Sequence, residues 1–167
     1  MGARDHHQAS ADTAVRCALL VVTDTKTLQT DTSGPRAFEI LQKFGHEVVL
    51  HQIVPNVPRR IADAVEKALK EADVAITIGG TGVSRKDGTV EAVRRLFARE
   101  LPGFGELFRS LSAKEIGTAA ILSRAALGVT KKGRIIVCLP GSEAAVRLAV
   151  EDILVNELRH ILRELRK

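Results

Sequence analysis

Short apolar segments alternate with longer amphipathic segments along most of this chain, and that alternation restricts the fold more than any other feature. Apolar runs of strand length occur at residues 17–22, 47–54, 74–78 and 134–139. The segments between them carry apolar residues at helical spacing. Strands that alternate with helices predict a mostly parallel sheet covered on both faces. The expected fold class is therefore α/β, with three layers in the order α/β/α.

Capping residues and periodicity locate the predicted helices. Ser33 is the predicted cap of the first helix, and Pro35 stands in its first turn. Further helices are predicted over about residues 58–71, from Thr89 onward, and over about residues 143–166, where a period near 3.6 continues throughout.

Two stretches are harder to assign. The segment 101–118 contains a proline and three glycines, so we expect short helical pieces there, with a capping box at residues 112–115. Residues 119–127 are apolar and fit either a helix or a strand, whereas residues 130–133 read as a hairpin turn.

The chain has 167 residues, which suits one domain, predicted over residues 15–167 after a polar and mobile arm of residues 1–14. Its apolar runs are far shorter than the roughly 20 residues of a membrane span, and the N-terminus has no signal-like stretch. We therefore expect a cytoplasmic protein without a membrane partner. Its two cysteines, Cys17 and Cys138, lie in apolar strands and are expected to be core residues.

The charge composition argues against nucleic acid as a partner. The net charge is +5, but the 25 basic residues are interspersed with 20 acidic ones, and only 3% of residues are aromatic. Proteins that bind single strands need aromatic faces for stacking. We therefore expect an anionic small molecule, and no nucleic acid, as the partner.

Three predicted strands end in polar or glycine-rich residues. The first ends at Thr23 and Asp24, the third at the sequence Gly-Gly-Thr-Gly of residues 79–82, and the last at Pro140, Gly141 and Ser142. Parallel strands would bring these ends to one edge of the sheet. Glycines let backbone amides converge on a phosphate, although the same sequence also fits a simple tight turn. The standard nucleotide-binding fingerprints are absent.

Four carboxylates stand in these loops and the elements that follow them: Asp24, Asp31, Asp87 and Glu91. Magnesium takes one or two carboxylates together with phosphate oxygens, so the pattern favours metal-assisted phosphoryl or nucleotidyl transfer. The alternative is that Asp24 and Asp31 are ordinary loop acids and that Asp87 caps the following helix.

Several segments resemble the MoaB/MogA proteins of molybdenum-cofactor biosynthesis. They stand in the family's order across roughly residues 15–160: Asp31-Thr32-Ser33-Gly34, Ile78-Gly79-Gly80-Thr81-Gly82, Arg85-Lys86-Asp87-Gly88-Thr89-Val90-Glu91-Ala92, Leu101 to Arg109, Glu115 to Ala125, and Leu139-Pro140-Gly141-Ser142. The segment Glu115-Ile116-Gly117-Thr118 is more similar to the MoaB branch than to the MogA branch.

The resemblance implies a molybdopterin-binding, MogA-like fold and a role in molybdenum-cofactor biosynthesis. Family members of the MogA type adenylylate the terminal phosphate of molybdopterin with ATP and Mg²⁺, and pyrophosphate is released. The family also implies a homo-oligomer, a trimer or a hexamer. Molybdenum and tungsten both stay open as the metal that the pathway serves.

Roles for individual residues follow from the resemblance. Asp87, Asp24 and Glu91 are the expected catalytic residues, and Asp87 with Glu91 would hold magnesium. Residues Gly79, Gly80, Thr81 and Gly82 would cradle a phosphate. The molybdopterin and nucleotide pockets would be lined by Thr23, Asp24, Asp31, Ser33, Thr89, Ser123, Pro140, Gly141 and Ser142.

Two positions depart from the family pattern. Val90 stands where a proline is usual, which changes only the start of a helix. Asn56 stands where adenylylating members often carry an aspartate, and an amide brings no negative charge to magnesium. A molybdopterin carrier without catalysis therefore remains an alternative. An oligomeric scaffold that docks through the C-terminal helix is another.

Overall fold

A six-stranded sheet forms the centre of the computed structural model, which describes residues 14–167. Its strands are β1 (Arg16–Val22), β2 (Glu47–Val54), β3 (Val74–Ile78), β4 (Arg99–Glu100), β5 (Ala126–Val129) and β6 (Ile135–Leu139). Their spatial order is β2-β1-β3-β6-β5-β4. The pairings among β2, β1, β3 and β6 are parallel, and those of β5 with β6 and β4 are antiparallel. The prediction of a mostly parallel sheet is confirmed.

Helices cover both faces of this sheet. They are α1 (Ser33–Lys43), α2 (Pro58–Ala68), α3 (Thr89–Arg94), α4 (Pro102–Ile116), a 3-10 helix (Gly117–Leu122), and the C-terminal helix, made of α5 (Glu143–Arg147), π-helical turns (Leu148–Leu154) and α6 (Val155–Leu165). Every residue from Cys17 to Val22 is buried, and alternate residues join two separate cores. One core contains α1, α4 and the C-terminal helix, and the other contains α2 and α3. The predicted α/β/α layering is confirmed.

Most of the predicted mobile arm, residues 1–14, lies outside the described residues. No helix within residues 14–167 has the length and apolar character that a membrane span requires.

The segment after β4 contradicts its prediction. Residues Pro102–Ile116 form one 15-residue helix instead of short pieces, and the supposed capping box at 112–115 lies inside it. Pro102, Gly103 and Gly105 all fall in the first turn, where a missing amide or a missing side chain does little harm. Burial of Phe104 and Phe108 against the sheet then holds the helix together.

The C-terminal helix also differs from the regular period that was predicted, because the residues Leu148–Leu154 have π-helical geometry. Its apolar residues, including Val150, Leu154 and Leu158, are buried in the core of their own chain. That packing leaves this stripe unavailable for a scaffold partner.

The helix cap predicted at Ser33 is wrong. Asp31 performs this function: its carboxylate accepts the amides of Ser33, at 3.2 Å, and Gly34, at 2.8 Å, and the Ser33 hydroxyl donates to the same carboxylate at 2.7 Å. The hairpin predicted at residues 130–133 is confirmed, since the Thr130 amide donates to the Arg134 carbonyl at 2.8 Å. The ambiguous segment 119–127 contributes both to the 3-10 helix and to β5.

Both cysteines are inert core residues, as expected. Cys17 and Cys138 are completely buried, and burial raises the pKa of each thiol to about 12. Thiols that stay protonated at neutral pH are poor nucleophiles.

The stability of the fold should depend on pH through His46. This side chain is 4% exposed, its Nδ1 accepts the Val15 amide, and burial and the nearby Arg159 lower its pKa from 6.5 to about 4. The unfolded chain therefore binds a proton that the folded chain refuses between these pH values, so the free energy of unfolding falls as the pH drops. From pH 7.5 to pH 5 we expect a loss of about 2 kcal/mol from this residue.

Urea titrations of the wild type and of His46→Gln at both pH values will measure the effect. The carboxylates that both proteins share contribute equally to the two free energies of unfolding, so their pH dependence cancels in the difference between the proteins. A difference that stays constant between pH 7.5 and pH 5 contradicts the assignment.

Candidate functional site

The ends of β1, β3 and β6 meet at the carboxyl edge of the sheet, as the parallel pairing requires. The Gly79 amide donates to the Leu139 carbonyl at 2.9 Å. A Cβ placed on Gly79 would lie 2.5 Å from the Val22 carbonyl oxygen, and one on Gly141 would lie 3.3 Å from Gly79 Cα. Three of the predicted site segments therefore pack against one another through bare backbone.

The loop of residues 79–82 differs in one respect from its prediction. Because the Gly79 amide is bonded to Leu139, it is not a donor for a ligand. The amides of Gly80, Thr81 and Gly82 donate to no hydrogen-bond acceptor among residues 14–167. Gly79 and Gly80 have φ values of +102° and +64°, a region that glycine enters without strain. We refer to the three amides of residues 80–82 as the amide cradle.

Thr89 fixes the shape of this loop from behind. Its hydroxyl donates to the Gly79 carbonyl at 2.9 Å, and its amide donates to the Gly80 carbonyl at 3.0 Å. The side chain is completely buried. Thr89 therefore shapes the loop from within the fold.

Asp87 lies directly beside the amide cradle. A Cβ on Gly82 would come within 2.6 Å of Asp87 Oδ2, and the same oxygen accepts the Ser84 amide at 3.1 Å. Gly88, not Asp87, occupies the cap position of α3, so the alternative role of Asp87 as a helix cap is wrong. Its carboxylate closes the loop and leaves Oδ1 as a further acceptor.

Asn56, which follows β2, lies next to Gly80 of the cradle, and Asp24, which follows β1, is bonded to Asn56. Asp24 Oδ1 accepts the Asn56 amide at 2.9 Å. Asn56 Oδ1 is buried without a donor among the described residues, and it would lie 3.0 Å from a Cβ on Gly80. A buried oxygen without a partner is costly, which indicates a position built for a ligand or a bound water.

Arg124 ties the loop together. Its Nε donates to the Thr81 carbonyl at 3.0 Å and its Nη2 to the Asp87 carbonyl at 3.1 Å, and Nη1 pairs with the Glu91 carboxylate. The hydrogen bond from Arg124 lowers the pKa of Glu91. One guanidinium thus holds both ends of residues 81–87, and Glu91, expected as a magnesium ligand, is engaged as the partner of Arg124.

Other predicted residues are also satisfied within the chain. The Thr23 hydroxyl accepts the amides of Thr25, at 3.2 Å, and Lys26, at 3.3 Å. The Ser142 hydroxyl caps the C-terminal helix by accepting the Ala145 amide at 3.3 Å. Pro140 and Gly141 follow β6 beside Gly79. These residues therefore line the edge mainly through backbone and turn geometry.

Asp31 and Ser33 are occupied at the start of α1. Burial alone would raise the pKa of Asp31, but the hydrogen bonds from Ser33 and Gly34 outweigh it and the pKa is lowered. The Lys26 Nζ atom lies 3.8 Å from Asp31 Oδ1 and also lowers this pKa. The contacts of this pair are with the helix cap, and they do not join it to the amide cradle.

The donors at this edge suit magnesium better than a softer metal. Asp87 and Asp24 supply hard carboxylate oxygens, and Asn56 Oδ1 is a further buried oxygen that lacks a donor. Within the described part of the chain, no three His, Cys, Asp or Glu side chains cluster as a self-sufficient metal site. That arrangement fits an ion whose remaining ligands are phosphate oxygens and water.

Sequence reasoning understated two residues of this edge. Arg124 stands 43 positions from Thr81 in the chain, so no local pattern indicates their contact. Asn56 drew attention only as a departure from the family pattern, and its buried oxygen became evident from packing alone.

Known proteins place the chain in a family. A family model described as "Probable molybdopterin binding domain" matches residues 18–160. Molybdenum cofactor biosynthesis protein B of Halalkalibacterium halodurans is 46% identical over 166 residues, which is 98% of this chain and 97% of that protein.

Solved structures agree. The crystal structure of a molybdenum cofactor biosynthesis protein B has a TM-score of 0.90 and 42% identity, and covers 93% of this chain and 98% of its own. The tungsten cofactor synthesizing protein MoaB from Pyrococcus furiosus has a TM-score of 0.85 and 37% identity, covering 94% and 100%. The chain therefore belongs to the family of molybdopterin-binding domains that includes the MoaB proteins.

Proposed function

We propose that this protein binds molybdopterin and adenylylates its terminal phosphate with ATP and Mg²⁺. The observation that carries the proposal is the amide cradle of residues 80–82 beside the Asp87 carboxylate, at the edge of the sheet where α/β proteins bind ligands. Three neighbouring amides without an acceptor in the fold suit a phosphate, and the adjacent carboxylate suits its counter-cation. Self-association as a trimer or a hexamer stays part of this proposal.

The reaction joins one phosphate to another. A terminal phosphate oxygen of molybdopterin forms a bond to the α-phosphorus of ATP, and the bond from that phosphorus to the bridging oxygen of pyrophosphate breaks. Pyrophosphate leaves with the bonding electron pair. Negative charge increases on the phosphoryl oxygens and the leaving group as the bonds exchange, so fixed N–H donors stabilise the transition state.

The residues of this edge divide the work. The cradle amides would hold phosphoryl oxygens, while Arg124 keeps the 81–87 loop in position through its bonds to Thr81 and Asp87. Asp87 would hold Mg²⁺, with Asp24 as the second expected carboxylate, and the ion would supply charge neutralisation on the phosphates. Glu91 would act through Arg124.

An assay for pyrophosphate tests this directly. The wild-type protein is mixed with molybdopterin and ATP, with and without Mg²⁺, and released pyrophosphate is measured together with the adenylylated product. We expect release only when all three are present. Omission of molybdopterin provides the control, and the absence of release when tight binding of molybdopterin is measured contradicts adenylylation.

Asn56 favours a second candidate, a carrier that holds molybdopterin without transferring AMP. The Asn56 amide oxygen lies where a carboxylate would add a negative charge next to Asp24 and Gly80. For a carrier we expect binding without turnover in the wild type, and pyrophosphate release gained in Asn56→Asp. For an adenylylating enzyme we expect release in the wild type and a change of less than about tenfold in the variant, since the other carboxylates already suffice.

A further inference from the structure

A second cavity lies next to the site, on the far side of Arg124. It encloses about 350 Å³ between the start of α4, the end of the 3-10 helix and β5. Its apolar wall is formed by Leu101, Pro102, Ile121, Ala125 and Ala126. Arg124 lines the cavity, and its Nε also donates to the Thr81 carbonyl at 3.0 Å, so one side chain contacts both the cavity and the loop that carries the amide cradle.

The charges in this cavity do not balance. Three guanidinium groups line it, and two of them are neutralised: Arg94 pairs with Glu100 at 2.8 Å, and Arg124 pairs with Glu91. Arg109 has no carboxylate within ion-pair distance among residues 14–167. Its hydrogen bond to the Ser123 carbonyl, at 3.4 Å, uses one of its five N–H groups.

The Ser123 side chain is a second unsatisfied group in the same cavity. Its hydroxyl oxygen is buried and has no hydrogen-bond partner in the described chain. A buried hydroxyl without a partner is costly, so its position calls for a ligand group that accepts or donates a hydrogen bond.

The absence of a side chain at Gly105 makes room for the Arg109 guanidinium one helical turn further along α4. A Cβ at Gly105 would lie 3.0 Å from both terminal nitrogens of Arg109 and 2.7 Å from the Ala125 carbonyl. Any larger residue would displace the guanidinium or the strand. The missing side chain therefore lets the cation lie flat against the start of α4.

We propose that Arg109 and Ser123 form a second oxyanion subsite, distinct from the amide cradle, which binds a phosphate-type group. A guanidinium without a counter-ion and a free hydroxyl are the donors that a phosphate takes, and the apolar wall would accept the body of the same ligand. Resting on the proposed function, the subsite receives the acceptor phosphate of molybdopterin, and the amide cradle holds the phosphates of ATP. Two anions that must react need hydrogen-bond donors on both sides, and the cradle amides together with the Arg109 guanidinium would supply them.

Residue-resolved NMR with inorganic phosphate as the probe tests the subsite without any turnover. Phosphate is titrated into the full chain, and amide shifts are followed at Ala125 and Ala126 for the cavity and at Gly80 and Gly82 for the cradle. We expect saturable shifts at Ala125 and Ala126 in the wild type. In Arg109→Gln the dissociation constant read from these two amides should rise about tenfold or more, while that read from the cradle stays within about twofold.

Matched variants complete the test. Arg95→Gln removes the same type of charge from an exposed position at the opposite edge of the sheet, beyond α3, and should leave both constants within about twofold of the wild type. If Arg109→Gln does not fold, Arg109→Lys replaces it in the test, because lysine retains the positive charge. Arg109→Lys should bind phosphate more weakly than the wild type because it loses the planar donor pair. Ser123→Ala should raise only the dissociation constant for phosphate that is read from the Ala125 and Ala126 amides.

The outcomes separate the subsite from the proposed function. Shifts confined to the cradle amides, or equal dissociation constants in the wild type and Arg109→Gln, overturn the subsite even if pyrophosphate release is observed. Phosphate binding that depends on Arg109 supports the subsite even if no release occurs, in which case adenylylation alone fails.

Discussion

Replacing Asp87 by asparagine should lower the rate of pyrophosphate release about 100- to 1,000-fold while the protein stays folded. The substitution removes the negative charge beside Gly82 that would hold Mg²⁺. It keeps a side-chain oxygen that can accept the Ser84 amide, so the loop retains its closing hydrogen bond. The loss should therefore fall on the chemistry and on Mg²⁺ affinity, not on folding.

The measurement is the steady-state rate at increasing Mg²⁺ concentration, with circular dichroism and thermal unfolding as the checks on the fold. Asp63→Asn is the matched control, because it removes one carboxylate from the exposed side of α2 and should change the rate less than twofold. Glu91→Gln provides a contrast: it should lower the rate through the Arg124 contact without raising the Mg²⁺ requirement. A fully active Asp87→Asn protein would reject the assigned role of this carboxylate.

Replacing Gly79 by alanine should destabilise the fold by about 3 kcal/mol, through backbone strain and overpacking together. The φ of Gly79 is +102°, which an L-residue rarely adopts, and the new Cβ would lie 2.5 Å from the Val22 carbonyl oxygen. That oxygen belongs to the backbone of a buried strand and cannot turn aside as a side chain could. Relief would require β1 and β3 to separate at the edge that carries the site.

Urea denaturation of the wild type, Gly79→Ala and a control variant, Gly103→Ala, measures this effect. Gly103→Ala is the control, since nothing lies within 4 Å of its Cβ position and it stands in the first turn of α4. Its stability should remain within about 0.5 kcal/mol of the wild type. Equal stability of Gly79→Ala and Gly103→Ala would show that the loop can adopt another backbone path.

The fold was predictable because local patterns and the global architecture agree. The runs at 47–54 and 74–78 became β2 and β3 with the predicted bounds. The segment 101–118 failed because its proline and glycines were weighed as helix breakers without regard to their position. All but Gly117 stand in the first turn, and burial of Phe104 and Phe108 exceeds the propensity cost.

The candidate site was only partly predictable. The three strand ends could be grouped from the sequence, since parallel strands present their carboxyl ends at one edge. The sequence could not show which polar groups remain available for a ligand there. The residue type is the same whether a hydroxyl or carboxylate caps a helix, as Ser142 does, or faces a ligand. Gly79 and Thr89 were expected to line the ligand site, and the sequence did not indicate that the Gly79 amide and the Thr89 hydroxyl are bonded within the fold.

By itself, the sequence determined the four strands β1, β2, β3 and β6 with the helices between the first three, the parallel core of the sheet and the family, because periodicity and motif order are properties of neighbouring residues. It did not indicate the short strand β4, and it left β5 undecided between helix and strand. The tertiary structure alone decided that Arg124 pairs with Glu91 and holds Thr81, and that Arg109 lacks a counter-ion. The two contacts of Arg124 join residues that are 33 and 43 positions apart in the chain. Hydrogen bonds and ion pairs depend on distances of a few ångströms, which chain folding sets and which no local pattern of residues records.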